Sequence, residues 1–215
     1  MTSSAPRPDA VRIAVFAKAP VAGAVKTRLA TLLGPEGAAG LHAGLVRHAL
    51  STAVQSRLGS VELWCAPDAS HPFFERCAQE FGVALRSQEG ADLGERMRRA
   101  FDAALGARAA LIVIGSDCPA LREVDLRAAA TALRDNDAVI TPAEDGGYVL
   151  VGLSRPAPVL FKGIDWGTSA VMGQTRARLA AAGIECKELA TLWDVDRPED
   201  YARLQREGML DEVLS

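Results

Sequence analysis

The strongest constraint on this chain is an alternation of two hydrophobic periods. Short β-rich runs alternate with longer stretches whose apolar residues recur at helical spacing. Residues 11–17, 61–66, 83–86, 110–115, 138–141, 148–152 and 185–189 read as strands. Residues 34–57, 72–81, 93–105, 121–133, 169–182 and 198–207 read as helices. On the first of these, Leu41, Leu45, Ala49 and Val54 form one stripe. The run at 110–115 is the most hydrophobic and predicts a central strand covered on both faces. Such alternation implies an α/β protein, a three-layer αβα sandwich around a mixed, mostly parallel Rossmann-like sheet. The mixing comes from residues 138–152. Two strands joined by so short a turn, at Asp145-Gly146-Gly147, must run antiparallel.

With 215 residues the chain has the length of one domain. Residues 11–215 are expected to form it, after a disordered polar and Pro-containing stretch at 1–10. That stretch has no apolar core of a signal peptide, and no window is apolar enough for a membrane span. The chain is therefore expected to be cytoplasmic, without membrane insertion. A formal net charge of -3 argues against a nucleic-acid surface. Cys65, Cys77, Cys118 and Cys186 are scattered and read as reduced, mostly buried thiols. His42, His48 and His71 form no cluster, and neither a metal nor a catalytic histidine is expected from them.

In open sheets of this kind, ligands bind beyond the carboxyl ends of the strands. After the first strand come Lys18, Ala19, Pro20, Gly23, Lys26, Thr27 and Arg28. A loop with free backbone N–H groups that leads into a helix is a natural phosphate site. Only four of the 24 basic residues are Lys, and two of them, Lys18 and Lys26, fall in this loop. Against that Arg-rich background they mark positions where a compact ammonium is wanted. A P-loop would require a glycine where Val25 stands, and no G-x-G-x-x-G follows the strand, so Walker-type and dinucleotide-binding readings are disfavoured.

Asp117 follows the central strand. A carboxylate there suits Mg²⁺, which binds through one or two carboxylates and substrate phosphate oxygens; it also suits a plain turn cap ahead of Pro119. Glu144, Asp145, Gly146 and Gly147 make either a simple tight turn or, at the same sheet end as Asp117, an acceptor-binding edge or a second metal contact. Asp196, or alternatively Asp194, supplies a second metal carboxylate or merely opens the helix that starts near Pro198. Gln88, Gly94 and Arg96 precede or open a helix and either read a base or ribose or only cap it.

In order, K-x-P-x-x-G-x-x-K-T-R-L, L-G-E-R-M, G-S-D-C-P, E-D-G-G-Y and D-V-D-x-P-E-D resemble a bacterial family of the nucleotide-diphospho-sugar transferase superfamily. This is the glycosyltransferase type A fold, MobA-like or SpsA-like, in a branch labelled arsenosugar-biosynthesis-type glycosyltransferases. The resemblance runs from about residue 11 to 205 and implies a nucleotide over the first loop and a divalent metal, Mg²⁺ or Mn²⁺. It implies that Lys18, Lys26 and Arg28 hold phosphates, that Asp117 and Asp196 hold the metal, and that Glu144 and Asp145 lie at the second substrate. Ala19-Pro20-Val21-Ala22 replaces the Gly-rich loop of molybdenum-cofactor nucleotidyltransferases. The K-T-R-L piece is instead similar to phospholactate guanylyltransferases.

The expected function is metal-dependent transfer from an activated nucleotide to a small-molecule acceptor, with Lys26, Arg28 and Asp117 catalytic. Glycosyl transfer from an NDP-sugar is the leading form. Nucleotidyl transfer to a phosphorylated acceptor, with release of pyrophosphate, is the alternative. Non-catalytic nucleotide binding is a third reading.

Overall fold

A computed structural model describes residues 10–105 and 109–214. Seven strands form one sheet: β1 (Ala10–Lys18), β2 (Val61–Ala66), β3 (Ala84–Ser87), β4 (Ala109–Gly115), β5 (Ala138–Pro142), β6 (Tyr148–Leu153) and β7 (Cys186–Glu188). Their spatial order is β3-β2-β1-β4-β6-β5-β7. The β6 strand runs antiparallel to both neighbours, β4 and β5, and every other pairing is parallel. The expected three-layer, mostly parallel α/β sandwich is thus the observed fold. Of the stretch expected to be disordered, residues 1–9 lie outside the described residues. Ala10 already pairs with Ala109 in the sheet.

The period of two along each strand assigns side chains to two cores. Ile13, Val15 and Ala17 of β1 face one layer with Ile112 and Ile114 of β4. There they meet Val46 and Leu50 of α1 (Ala30–Gln55), Phe74 of α2 (Pro72–Phe81) and Leu126 of α4 (Glu123–Ala132). Ala14, Phe16, Leu111 and Val113 face the other layer, against Met97 and Phe101 of α3 (Leu93–Ala104) and Met172 of α5 (Val171–Ala182). Residues 110–114 are no more than 4% exposed, as a doubly covered central strand requires.

A third cluster joins Leu41 and Leu45 of α1 to Trp193, Val195, Leu204 of α6 (Pro198–Arg206) and Val213 of α7 (Leu210–Leu214). This cluster pins the C-terminal segment against α1. The short α7 and a 3-10 turn at Pro158–Phe161 are elements that periodicity does not reveal. Helix α1 also begins earlier than its pattern suggests. One turn precedes Gly34, whose φ of 70° breaks the helix, and Pro35 restarts it.

Strand order reverses between β1 and β4. Chain connections leave β1 towards β2 on one side, while β4 lies on the other. The carboxyl ends of these two strands therefore flank a crevice, the position where open α/β sheets bind ligands.

Candidate active site

The crevice is a cleft of ≈ 610 Å³ whose lining includes Lys18, Lys26, Arg28, Gln88, Arg96 and Asp117. Segments as far apart in the chain as Lys18 and Asp196 meet here, because β1, β3 and β4 all end on the same side of the sheet. Asp117 lies at the floor. Its Oδ1 is fully buried while the side chain as a whole keeps 45% of its area exposed, so Oδ2 faces the cleft. Burial disfavours the charged carboxylate, but Lys26 and then His42 outweigh it and hold Asp117 well below the usual carboxylate range.

Lys26 is turned inward. Its Nζ is 2.8 Å from Asp117 Oδ1 and donates to Val195 O at 2.6 Å. The side chain is only 4% exposed. The ammonium is thus committed to the protein, hydrogen-bonded to Val195 O and charge-paired with Asp117, where the sequence suggested a group reaching out to phosphate. Its backbone adopts φ 47°, an uncommon left-handed conformation for a non-glycine residue. Such conformations persist where surroundings over-determine them. Arg28, by contrast, is 63% exposed and pairs with Asp196 across the cleft mouth. Lys18 is exposed and lines the cleft.

Gln88 Nε2 donates to Trp64 O at 2.8 Å and Ala17 O at 3.3 Å, which fixes the amide and leaves its Oε1 as the free atom. Asp92 caps α3 by accepting from Glu95 N, and Glu95 accepts from Ala91 N. Gly94 does more than start this helix. A Cβ there would lie 2.5 Å from both Phe161 O and Trp166 Nε1, so only glycine lets the indole close this side of the cleft. Arg96 Nε donates to Gly90 O, which tethers the guanidinium at the same wall.

Of the residues expected at the second substrate, Glu144 and Asp145 line an adjoining cleft of ≈ 480 Å³ with Arg28, Asp194 and Asp196, while Gly147 lines a further one with Asp117 and Asp194. Arg203 Nη1 donates to both carboxylate oxygens of Glu144, and its guanidinium stacks 4.4 Å from the Trp193 ring centroid. Asp145 Oδ1 accepts from Gly147 N and shapes the turn. At Gly146 the φ is 93°, and a Cβ there would lie 2.5 Å from Ser169 O. Gly146 O also accepts from Met172 N, which docks the start of α5. Gly167, Thr168 and Ser169 complete this cleft. Only the G-T-S triplet after a rare Trp could have flagged them.

Asp194 and Asp196 take opposite roles. The segment 192–195 pairs with its neighbours: Leu192 N donates to Pro142 O, Glu144 N to Leu192 O and Val195 N to Asp117 O. Extended backbone alternates its side chains, so Val195 enters the third core cluster and Asp194 joins Asp145 and Asp117. Burial, then repulsion from those two carboxylates, pushes Asp194 up to about 6 against the pull of Lys26. Between roughly 4 and 6 the folded state therefore binds more protons than the unfolded one, so stability falls as pH rises across that window. Asp194→Asn is expected to raise the melting temperature at pH 7.5 by roughly 3–5 °C and to be neutral near pH 4. Thermal melts at both pH values check this, and equal shifts at both would refute it.

Among the described residues no group of three or more His, Cys, Asp or Glu is placed to hold a metal ion on its own. No described helix is long and apolar enough to cross a membrane. All four cysteines are unpaired, and burial raises each thiol, to about 12 at Cys65 and Cys118 and about 11 at Cys77 and Cys186.

A basic loop, a floor carboxylate and a crevice at the strand-order reversal define a nucleotide-utilising transferase of the nucleotide-diphospho-sugar transferase superfamily. The chain belongs to the bacterial family DUF2064, described as an uncharacterized protein conserved in bacteria, whose model matches residues 49–168. It is 30% identical over 203 residues to the phosphoenolpyruvate guanylyltransferase of Rubrobacter xylanophilus, spanning 91% of this chain and 96% of that one. A crystal structure from Desulfovibrio desulfuricans G20, provisionally described as a nucleotide-diphospho-sugar transferase, superposes with a TM-score of 0.80. That protein is 28% identical, with 94% of this chain and 97% of the other covered. A CMP:2-keto-3-deoxy-manno-octonic acid synthetase in complex with CTP shares the fold at a TM-score of 0.60 and 16% identity, over 95% and 100% of the two chains.

Proposed function

We propose that this chain is a metal-dependent nucleotidyltransferase that moves a nucleoside-monophosphate group from a nucleoside triphosphate to a small phosphorylated acceptor. One observation carries the reading: Asp117 lines both the cleft of the basic loop and an adjoining cleft with Asp194, in a chain similar along nearly its whole length to a guanylyltransferase. The order of preference between the two transfers is therefore reversed from that suggested by the sequence motifs.

The donor set fits a divalent cation. Asp117 presents one open carboxylate oxygen, and Asp194 is crowded by like charges that a cation would relieve. Two carboxylates suffice for Mg²⁺ or Mn²⁺ when substrate phosphates supply further oxygens. Asp194, rather than Asp196, is then the second carboxylate, because it is the one that faces the charges of Asp117 and Asp145. When bound, the ion neutralises phosphate charge and polarises the reacting P–O bonds.

The chain's own groups do the rest. Lys18, the loop backbone after it and Thr27 receive the triphosphate. Arg28 leaves Asp196 for a phosphate oxygen, where its planar fork binds bidentately. Lys26 holds Asp117 in place. Gln88 and Arg96 face the base, and Gly94 admits Trp166 as the wall beside it. Glu144, Asp145, Gly146 and Gly147 frame the acceptor, whose phosphate oxygen attacks the α-phosphorus. The bond from the α-phosphorus to the bridging oxygen breaks and pyrophosphate leaves. Charge that accumulates on it is met by Arg28 and Lys18.

Incubation with each of the four nucleoside triphosphates, phosphoenolpyruvate and MgCl₂ tests this. Pyrophosphate release that needs acceptor, metal and one preferred nucleotide is the expected result. Glycosyl transfer remains the second reading, favoured by the description of the Desulfovibrio structure. NDP release from an NDP-sugar, without pyrophosphate from any triphosphate, would establish it instead.

A further inference from the structure

Two clefts meet at Asp117, and their walls differ in kind. The larger, of ≈ 610 Å³, carries the cations Lys18, Lys26, Arg28 and Arg96. The smaller, of ≈ 320 Å³, shares Leu93, Asp117 and Trp166 with it and is lined further by β6 and the segment 166–171. Among the described residues, the charged groups that line the smaller cleft are Asp117, Asp145 and Asp194, all carboxylates.

Most of the remaining wall is carbon. Leu93, Val149 and Val171 supply aliphatic surface. Tyr148 and Trp166 meet edge to face, with ring centroids 6.2 Å apart. Their polar atoms do not reach the space. Tyr148 Oη and Trp166 Nε1 are both fully buried, so both rings show the cleft only carbon. Trp166 Nε1 is turned to the position of Gly94. The Thr168 hydroxyl is occupied, donating to Asp165 O at 2.8 Å and accepting from Ala170 N at 3.3 Å.

We infer that the body of the acceptor, beyond the phosphate that attacks, is uncharged and carbon-rich, an alkyl or alkenyl group rather than a carboxylate-bearing one. The phosphate stays where the two clefts meet, and the body enters the smaller cleft against Tyr148 and Trp166. A carbon body there exchanges water for apolar wall, which is favourable. A second anionic group would lose its water and meet carbon and carboxylates in exchange. The cleft thus rejects such acceptors through an unpaired charge as well as selecting neutral ones by fit. Its volume lies at the small end of the range for ligand pockets, roughly 300–1,000 Å³, so the body is short. The inference deepens the transferase reading above and takes from it only the phosphate.

Two enol phosphates of one shape test it: phosphoenolpyruvate, and the ester in which an isopropyl group replaces the carboxylate. Binding of each is measured by calorimetry to the protein with Mn²⁺ and α,β-methylene GTP, which cannot release pyrophosphate. The isopropyl ester is expected to bind at least about 10-fold more tightly. Thr168→Lys adds an ammonium at an exposed position of the wall. It is expected to bring the two affinities within about 2-fold of each other, with a melting curve to show that the variant is folded.

A parent that binds phosphoenolpyruvate as tightly as the ester, or binds neither, overturns the inference. An unchanged ratio in folded Thr168→Lys would place the body elsewhere and overturn it too. Should that variant fail to fold, the comparison in the parent decides alone. Turnover separates the two levels of the reading. Pyrophosphate release with phosphoenolpyruvate as the preferred acceptor defeats the inference alone. No pyrophosphate from any triphosphate, with the ester still the tighter ligand, defeats the nucleotidyl reading alone.

Discussion

Asp117→Asn is expected to lower turnover by ~10²–10³-fold, comparable to the loss of one preorganised electrostatic contact at a reacting centre. Asn has nearly the volume of Asp, so the floor of the cleft keeps its shape. What disappears is the negative charge, and with it the open oxygen that would bind a cation. Because that charge also balances Lys26, the variant carries a buried ammonium with one weakened partner. Pyrophosphate release at saturating GTP and acceptor measures the effect, with apparent Mg²⁺ affinity as the companion reading. A variant within about 3-fold of the parent in both would remove Asp117 from the site.

Lys26→Met is expected to be the most damaging single change to stability among the cleft residues. Met matches the length of the Lys stem and can fill its volume, so packing is largely retained. The ammonium is lost, however, and leaves Asp117 Oδ1 buried without its cation and Val195 O without its donor. Breaking a buried pair by removing one partner costs about 3–5 kcal/mol. Asp117 keeps one side in the cleft, so about 3 kcal/mol is the appropriate end of that range. For a chain of this size that is a fall of roughly 6–12 °C in melting temperature. Combining Lys26→Met with Asp117→Asn should recover part of the loss, because the stranded charge is gone. Thermal melts of the two single variants and the double variant check both statements. A double variant less stable than either single one would show that the pair is not the reason for the loss.

Both expectations follow from Lys26, and Lys26 also shows how far the sequence could be read. Its rarity in an Arg-rich chain singled it out as a position where a compact ammonium is wanted, there for phosphate. The physical reason differed. An ammonium is wanted at Lys26 because a compact point charge fits between a carboxylate and a carbonyl in a buried corner, where a planar guanidinium would not. Nothing local to residues 18–29 could show this, since both partners lie far away in the chain, at Asp117 and Val195.

The same division runs through the acidic groups. Asp194 and Asp196, one residue apart on either side of Val195, could not be told apart by composition or by helix-start logic, since both precede Pro198. Pairing of residues 192–195 with the ends of β4 and β5 separates them. One is turned into the company of Asp117 and Asp145, and the other out to Arg28. His42 was invisible for a related reason. A lone histidine on an apolar helical stripe looks like a satisfied core residue, and only the approach of α1 to the ends of β1 and β4 gives it neighbours that matter.

The alternation of hydrophobic periods by itself determined the layered α/β architecture, the doubly buried β4 and the antiparallel turn at Asp145-Gly146-Gly147. Those are properties of local spacing, and spacing is written in the chain. It also located the loops that would carry chemistry, because ligands gather beyond the carboxyl ends of strands. Only the tertiary structure decided which charges face one another. Lys26 met Asp117, Arg28 met Asp196, and Asp194 was left among like charges, because pairs so far apart in sequence are set by strand order and register.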